Sequence, residues 1–197
     1  MKTIGIFSRK FSPKHRNAMQ NILTSIDHLG GKVLIFKPLH NNIAKDFNIP
    51  GFAGTFENHK ELQSKAQMLI SLGGDGSLLE AVSYVRDSGI PILGVNIGRL
   101  GFLSSVDVSE IKTAIESIFL KNYSVSKRTL LKLKSVSNHV LPIDPFAFND
   151  ITISKKDTNS MIVVHTFINN THLNTYWADG LITSTPTGST AYSLSCN

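Results

Sequence analysis

The sequence predicts an α/β N-terminal domain built on a parallel sheet, followed by a mostly antiparallel all-β domain. Three observations predict it. Apolar strand-like runs alternate with amphipathic helical stretches from Thr3 to about Phe119. From Ser124 onward no convincing helical period remains, and short β-branched and aromatic segments take over. Between one apolar run and one amphipathic stretch stands Gly73-Gly74-Asp75-Gly76, a glycine turn that opens a helix after a strand. Repeated strand–helix units call for a parallel sheet with right-handed crossovers, whose ligands bind at the carboxyl ends of the strands. The expected domains are 1–123 and 124–197, with the boundary near Asn122 to Ser126.

Thr3 to Phe7 reads as the first strand. A break at Ser12-Pro13 precedes a helix from about His15 to Leu29, ended by Gly30-Gly31. Lys32 to Phe36 is a second strand, and Asn41 to Asn58, rich in Asn, Gly and Pro, is expected to be irregular. A short helix over Leu62 to Ala66 leads to the strand Met68 to Leu72. After the glycine turn, Leu78, Val82 and Val85 recur at i, i+4 and i+7. Ile90 to Val95 is another buried strand, and Val108 to Phe119 a helix with Ile111, Ile115 and Ile118 on one face. In the second domain Leu131 to Lys134 alternates with period two, while Phe146 to Ser154, Met161 to Ile168 and Leu173 to Tyr176 read as further strands. The polar run Lys155 to Ser160 separates two of them.

The bulk composition narrows the function. With 41% hydrophobic and 17% charged residues, the 197-residue chain is that of an ordinary globular protein. The net charge of +6 suits phosphate-bearing partners. Its basic residues are dispersed, and the densest cluster, Lys127, Arg128, Lys132 and Lys134, reads as a solvated strand face without any nucleic-acid-binding signature. One cysteine, Cys196, permits no internal disulfide and fits a reducing cytoplasm. No stretch reaches the roughly 18 apolar residues of a membrane span, so no membrane partner is expected. Seven scattered histidines show no metal-ligand spacing.

Two stretches carry chemistry. The Gly73–Gly76 turn lets backbone N–H groups approach a phosphate at a helix N-terminus, where the dipole favours negative charge. A carboxylate there conflicts with simple anion binding, so Asp75 reads either as a helix cap or as a proton acceptor or cation holder. Ser77-Leu78-Leu79-Glu80 has the form of a capping box, which would start the helix at Ser77 and leave Asp75 free. The second stretch runs from Asp179 to Ser195. Its small hydroxyl residues, two glycines and proline supply hydrogen-bonding groups at close backbone approach, and Tyr192 offers a surface for a base. A polar loop with local turns is the alternative.

Taken in order, Gly73-Gly74-Asp75-Gly76, Gly98-Arg99-Leu100-Gly101-Phe102-Leu103, Asn149-Asp150, and Asp179-Gly180 running into Thr185 to Ser193 resemble the NAD kinase family. The glycine turn alone also occurs in diacylglycerol, sphingosine and phosphofructokinase relatives; the Asp179 to Ser195 stretch is far more specific. The resemblance implies a kinase that phosphorylates the 2′-hydroxyl of the adenosine ribose of NAD, using ATP and a divalent ion such as Mg²⁺, to give NADP. It implies that Asp75 accepts the hydroxyl proton, and that Gly73, Gly74 and Gly76 make room for donor phosphates. Asn149 and Asp150 would contact the adenosine, where the family has Asn-Glu. Thr190, Ala191, Tyr192 and Ser195 would hold adenine and its ribose, Thr187 would be a further nucleotide-binding residue, and Asp179 would lie toward the nicotinamide half. No protein cage for the metal is implied. Leu100 and Phe102 match apolar positions near the adenosine pocket, with plain core packing as the other reading.

Trp177 departs from the family by standing where a basic residue is common. Adjacent strand residues point to opposite faces, so Asn149 and Asp150 can share a ligand only where the strand bulges or ends. Family members continue beyond the position matched by Asn197, so the resemblance implies a β-domain incomplete at its C-terminus, with unpaired edges. The family's dimers and tetramers imply a homo-oligomer for the complete enzyme. Besides the kinase, two other readings fit: an inactive NAD-binding fragment and a lipid kinase with the same glycine turn.

Overall fold

The computed structural model describes residues 1–98, 101–104, 106–135, 144–156 and 160–196. The chain divides into two compact units, Met1–Ser126 and Lys127–Asn197.

The first unit is a parallel sheet with helices. Its strands are β1 (Thr3–Phe7), β2 (Lys32–Phe36), β3 (Phe52–Phe56), β4 (Met68–Leu72), β5 (Ile92–Asn96) and β6 (Val106–Asp107). They lie in the order β3-β2-β1-β4-β5-β6, and every pairing is parallel. The helices are α1 (Arg16–His28), α2 (Lys37–Ile43), α3 (His59–Lys65), α4 (Asp75–Val85) and α5 (Ile111–Leu120). The order reverses between β1 and β4, and the crevice at the carboxyl ends of those two strands is where such sheets take ligands.

Burial follows the periodicities in the sequence. Strand β4 is buried along its whole length, as a central parallel strand covered on both faces must be. Helix α1 buries Met19, Ile22, Leu23 and Ile26 and packs beside α5, which buries Ile111, Ile115 and Ile118. Helix α4 is fixed from the other side. Its Tyr84 ring meets Phe7, Phe36 and Phe56 at centroid distances of 5.3, 5.3 and 5.7 Å. That aromatic cluster ties the helix carrying the glycine turn to three neighbouring strands.

Several expectations are corrected. The stretch expected to be irregular, Asn41 to Asn58, holds the end of α2 and all of β3. Strand β3 is an edge strand in which Phe56 alone is fully buried, and Gly54 sits at φ +120° beside a register shift, so no alternation marks it. The fifth strand begins at Ile92 rather than Ile90.

The second unit consists of antiparallel pairs. They are β7 (Leu131–Lys132) with β8 (Phe146–Ala147), β9 (Asp150–Ser154) with β12 (Gly180–Ser184), and β10 (Ile162–Ile168) with β11 (Thr171–Ala178). Asn169 and Asn170, both at positive φ (49° and 67°), join β10 to β11 in the two-residue turn that matches strand twist. Contrary to the expectation of no helix, a short one, α6 (Tyr192–Ser195), follows a 3₁₀ turn at Gly188–Thr190. Lys132, from the basic cluster, lies with its ammonium 4.7 Å from the centre of the Phe146 ring. Val163, Phe167, Leu173 and Trp177 on the β10–β11 hairpin are exposed.

Candidate functional site

The glycine turn leaves the carboxyl end of β4 and enters α4 within two residues. Gly73 adopts φ +140°, and a Cβ there would fall 2.3 Å from the Ser77 hydroxyl oxygen. Glycine is therefore required at this position for both conformation and space. At Gly74 and Gly76 a Cβ would meet nothing within 4 Å, so these glycines leave open room beside the helix N-terminus.

The helix does not start where the capping-box pattern places it. Gly74 is the N-cap, and its carbonyl accepts the N–H groups of Ser77 (3.0 Å) and Leu78 (3.3 Å). Ser77 instead packs its hydroxyl against Gly73, and Glu80 forms an ion pair with Arg9 at 3.3 Å. Once the left-handed Gly73 turn has set Gly74 as the cap, Ser77 is already inside the helix and cannot cap it.

Asp75 is consequently not free. Its Oδ2 accepts the backbone N–H of Phe102 (2.8 Å), and its Oδ1 accepts those of Leu103 (3.0 Å) and Ser104 (3.2 Å). Burial alone raises the pKa of this carboxyl, but the three N–H bonds outweigh it and hold the group below its ordinary value of 3.8. Asp75 is thus a fully ionised, oriented carboxylate at neutral pH. Phe102, in the same loop, is fully exposed, which excludes core packing for its side chain. Arg99 and Leu100 lie outside the described residues.

Beside the turn opens a cleft of about 300 Å³, lined by Arg9, Lys10, His15, Gly73, Gly74, Ser77, Asn96, Ile97 and Gly98. It lies at the carboxyl ends of β1, β4 and β5, at the switch point of the sheet. Among the described residues two cations line it and no carboxylate does. His15 is kept below its ordinary value of 6.5 by burial, only partly opposed by its backbone hydrogen bond with Ser12, so it is neutral at pH 7. Asn96, buried, accepts the Gly98 N–H with its side chain (3.0 Å) and fixes the turn after β5. Such a cleft can hold a polyanion while keeping the Asp75 carboxylate on a separate set of donors. Sequence reasoning missed Arg9, Lys10 and His15. For Arg9 and Lys10 the signal was a position just past the end of β1, usable only once the strand order is known.

In the second unit, the structure brings Asn149-Asp150 together with the Thr187 to Ser195 stretch. Strand β9 starts at Asp150, so the pair sits at a strand end, the condition under which both can serve one ligand. Thr185 joins the two segments. Its backbone N–H donates to the Asn149 carbonyl (2.8 Å), and its hydroxyl donates to the Phe148 carbonyl (2.7 Å) and accepts the Gly188 N–H (3.0 Å). Thr185, 2% exposed, was not among the expected site residues. Thr187 precedes the 3₁₀ turn, Thr190 ends it, and Ala191 leads into α6, which carries exposed Tyr192 and Ser195. The Cys196 thiol, hydrogen-bonded to the Tyr192 phenol, pushes that hydroxyl above its ordinary value, with the Asp150 carboxylate adding to the effect. Asp179 is not in this group. It precedes Gly180, which pairs with Ser154, whereas Asp150 pairs with Ser184 at the other end of the ladder. At about 3.3 Å per residue the separation is roughly 16 Å. There Asp179 forms an ion pair with Lys155 (2.7 Å). Trp177 is exposed.

Two family profiles match the chain: the ATP-NAD kinase N-terminal domain over residues 44–123 and the ATP-NAD kinase C-terminal domain over residues 148–197. The NAD kinase of Flavobacterium psychrophilum is 54% identical over 143 residues, covering 72% of this chain and 48% of that protein. The NAD kinase of Bacteroides fragilis is 40% identical over 190 residues, covering 96% of this chain and 64% of that protein. Among solved structures, yeast NADH kinase complexed with NADH superposes with a TM-score of 0.84 at 28% identity, over all of this chain and 61% of that one. An NAD kinase from Archaeoglobus fulgidus in complex with ATP gives 0.65 at 22% identity, over 99% of this chain and 65% of that one, a likeness of fold. The chain spans about half the length of the curated relatives it matches at highest identity. On both profiles and these relatives, the chain belongs to the NAD kinase family.

Proposed function

We propose that this chain carries the phosphoryl-transfer machinery of an NAD 2′-kinase. The reaction moves the γ-phosphoryl group of ATP to the 2′-hydroxyl of the adenosine ribose of NAD, giving NADP and ADP. The observation that carries the reading is Asp75: an oriented, ionised carboxylate beside a glycine-lined, cationic cleft at the sheet's switch point.

The chemistry follows from the groups present. Triphosphate oxygens suit the open space at Gly74 and Gly76 and the positive end of α4, with Arg9 and Lys10 as counter-charges. Asp75 takes the proton of the 2′-hydroxyl as its oxygen bonds to the γ-phosphorus, and the bond to the β-phosphate oxygen breaks. Asn149, Asp150, Thr187, Thr190, Ala191, Tyr192 and Ser195 hold the adenosine, and Asp179, roughly 16 Å along the β9–β12 ladder, suits the far half of a dinucleotide. NADH and ATP, the molecules bound in the two solved relatives, are of these two classes.

A divalent ion, Mg²⁺ by its affinity for phosphates, would supply charge neutralisation of the triphosphate. The donor set fits an ion held mainly by phosphate and water. Among the described residues no three His, Cys, Asp or Glu side chains converge, and three of the Asp75 acceptor sites are taken by backbone N–H groups. We assign the protein to the cytoplasm, as a homo-oligomer, with neither nucleic acid nor membrane as partner. Among the described residues no helix is long and apolar enough to cross a membrane.

The test is direct. The purified protein is incubated with NAD, ATP and Mg²⁺, and the product is identified as the 2′-phosphate by its use by an NADP-specific dehydrogenase. NADH is run in parallel as acceptor. Formation of the 2′-phosphate from either acceptor supports the kinase; phosphorylation of a lipid headgroup with indifference to both would overturn it.

A further inference from the structure

We propose that the backbone N–H groups of Phe102, Leu103 and Ser104 form a clasp that orients Asp75 and directs proton acceptance to its Oδ2 oxygen. This deepens the proton-acceptor reading of Asp75 and rests on it.

The two carboxylate oxygens are not equivalent. Each oxygen of an ionised carboxylate has two lone-pair sites. Oδ1 accepts from Leu103 (3.0 Å) and Ser104 (3.2 Å), which fills both. Oδ2 accepts from Phe102 alone among the described residues (2.8 Å), which leaves one site. A proton arriving from a hydroxyl can therefore be taken at Oδ2 without breaking a hydrogen bond. Taking it at Oδ1 would displace a backbone donor.

The clasp is built into the backbone. A Cβ on Gly101 would lie 2.3–2.6 Å from the three atoms of the Asp75 carboxylate, so the loop reaches this close only because residue 101 has no side chain. Gly101 is not among the residues at positive φ, so the constraint is space rather than conformation. The far end of the loop is anchored. Ser104 is 1% exposed, and its Cα lies 2.9 Å from where a Cβ on Gly94 of β5 would stand. Two glycines on different elements thus admit one loop against one carboxylate.

No charged side chain among the described residues sets the state of Asp75. Burial pushes its pKa up and the three N–H bonds push it down further. The trade is intelligible. Donated hydrogen bonds lower basicity, which slows proton acceptance, but they keep the carboxylate ionised and aimed, which a general base needs before it can act.

The experiment uses the full chain labelled with ¹⁵N and with ¹³C in aspartate carboxyls. A pH titration follows the Asp75 carboxyl carbon and the amide signals of residues 102, 103 and 104. We expect all three amides to move with the Asp75 midpoint, and that midpoint to lie below the ordinary aspartate value. In Gly101→Ala the midpoint should rise and the amide response should shrink. The same variant should lose roughly tenfold or more in kcat with KM for NAD changed less than about threefold, and the acid limb of its pH–rate profile should move to higher pH. Asp75→Asn, which keeps the shape and removes the charge, should abolish the common amide titration. Amides that ignore the Asp75 titration, or a Gly101→Ala protein with an unchanged midpoint and pH profile, would overturn the clasp. Retained turnover in Asp75→Asn would overturn the catalytic role of the clasp through the proton-acceptor reading itself. That outcome is separable, because the amide titration needs no turnover.

Discussion

A Cβ on Gly188 would lie 2.0 Å from the carbonyl oxygen of Asn149, closer than any side chain can come to a backbone oxygen. The two residues belong to motifs nearly forty positions apart in the chain, and their backbones meet only because position 188 is glycine. Gly188→Ala must force the Asn149 strand end away from the 3₁₀ turn. Overpacking of this kind costs about 1–3 kcal/mol. Calorimetric titration with NAD and a thermal melt should show weaker binding together with a lower midpoint.

Thr185 makes the same junction with hydrogen bonds. Thr185→Val keeps the shape but leaves the Phe148 carbonyl and the Gly188 N–H without their partner. Unsatisfied buried groups cost about 1–3 kcal/mol each. Thr185→Ser, which retains the hydroxyl, should recover most of the stability in denaturant unfolding, and Thr185→Val should not.

The cationic cleft gives a kinetic prediction. Arg9→Ala and Lys10→Ala should raise KM for ATP more than KM for NAD, because the two charges line the cleft beside the glycine turn. Glu80→Gln releases Arg9 from its ion pair, 3.3 Å in length, and should lower KM for ATP at low salt. Steady-state kinetics with each substrate varied in turn separates the two effects.

Acid stability follows from carboxylates held below their ordinary values. Asp75 is lowered by its three N–H bonds against burial, Asp107 chiefly by the Ser109 N–H, and Glu61 chiefly by the Glu57 N–H. A carboxyl with a depressed folded pKa contributes stability that is present above its unfolded value, near 3.8 for aspartate, and is lost as pH falls through the folded value. The melting temperature should therefore drop between about pH 5 and about pH 2, and Asp75→Asn should drop less over the same window.

The parallel sheet was legible because each element declares itself locally. Strand β4 is apolar at four of its five positions, Ser71 being the exception, and α5 repeats isoleucine at helical spacing. Strand β3 was not, because an edge strand with Gly54 at its centre buries too little to alternate. In the candidate site, Asp75 and the glycines around it were visible as a motif. Its partners were not. Phe102 lies 27 residues downstream, and nothing local in either segment says that one carboxylate meets three successive N–H groups. The Ser77 to Glu80 pattern misled because the Gly73 turn sets Gly74 as the cap and leaves Ser77 inside the helix, while Glu80 pairs with Arg9, distant in sequence.

The role of Asp75 is tested most directly by the rate of NADP formation from NAD and ATP in the wild-type protein and in Asp75→Asn. A positioned general base contributes roughly 10²–10⁴-fold. The predicted result is a loss of turnover of that size with NAD affinity retained in calorimetric titration. Turnover in Asp75→Asn within a few-fold of wild type would contradict it, and would return Asp75 to the role of a structural tie for the 102–104 loop.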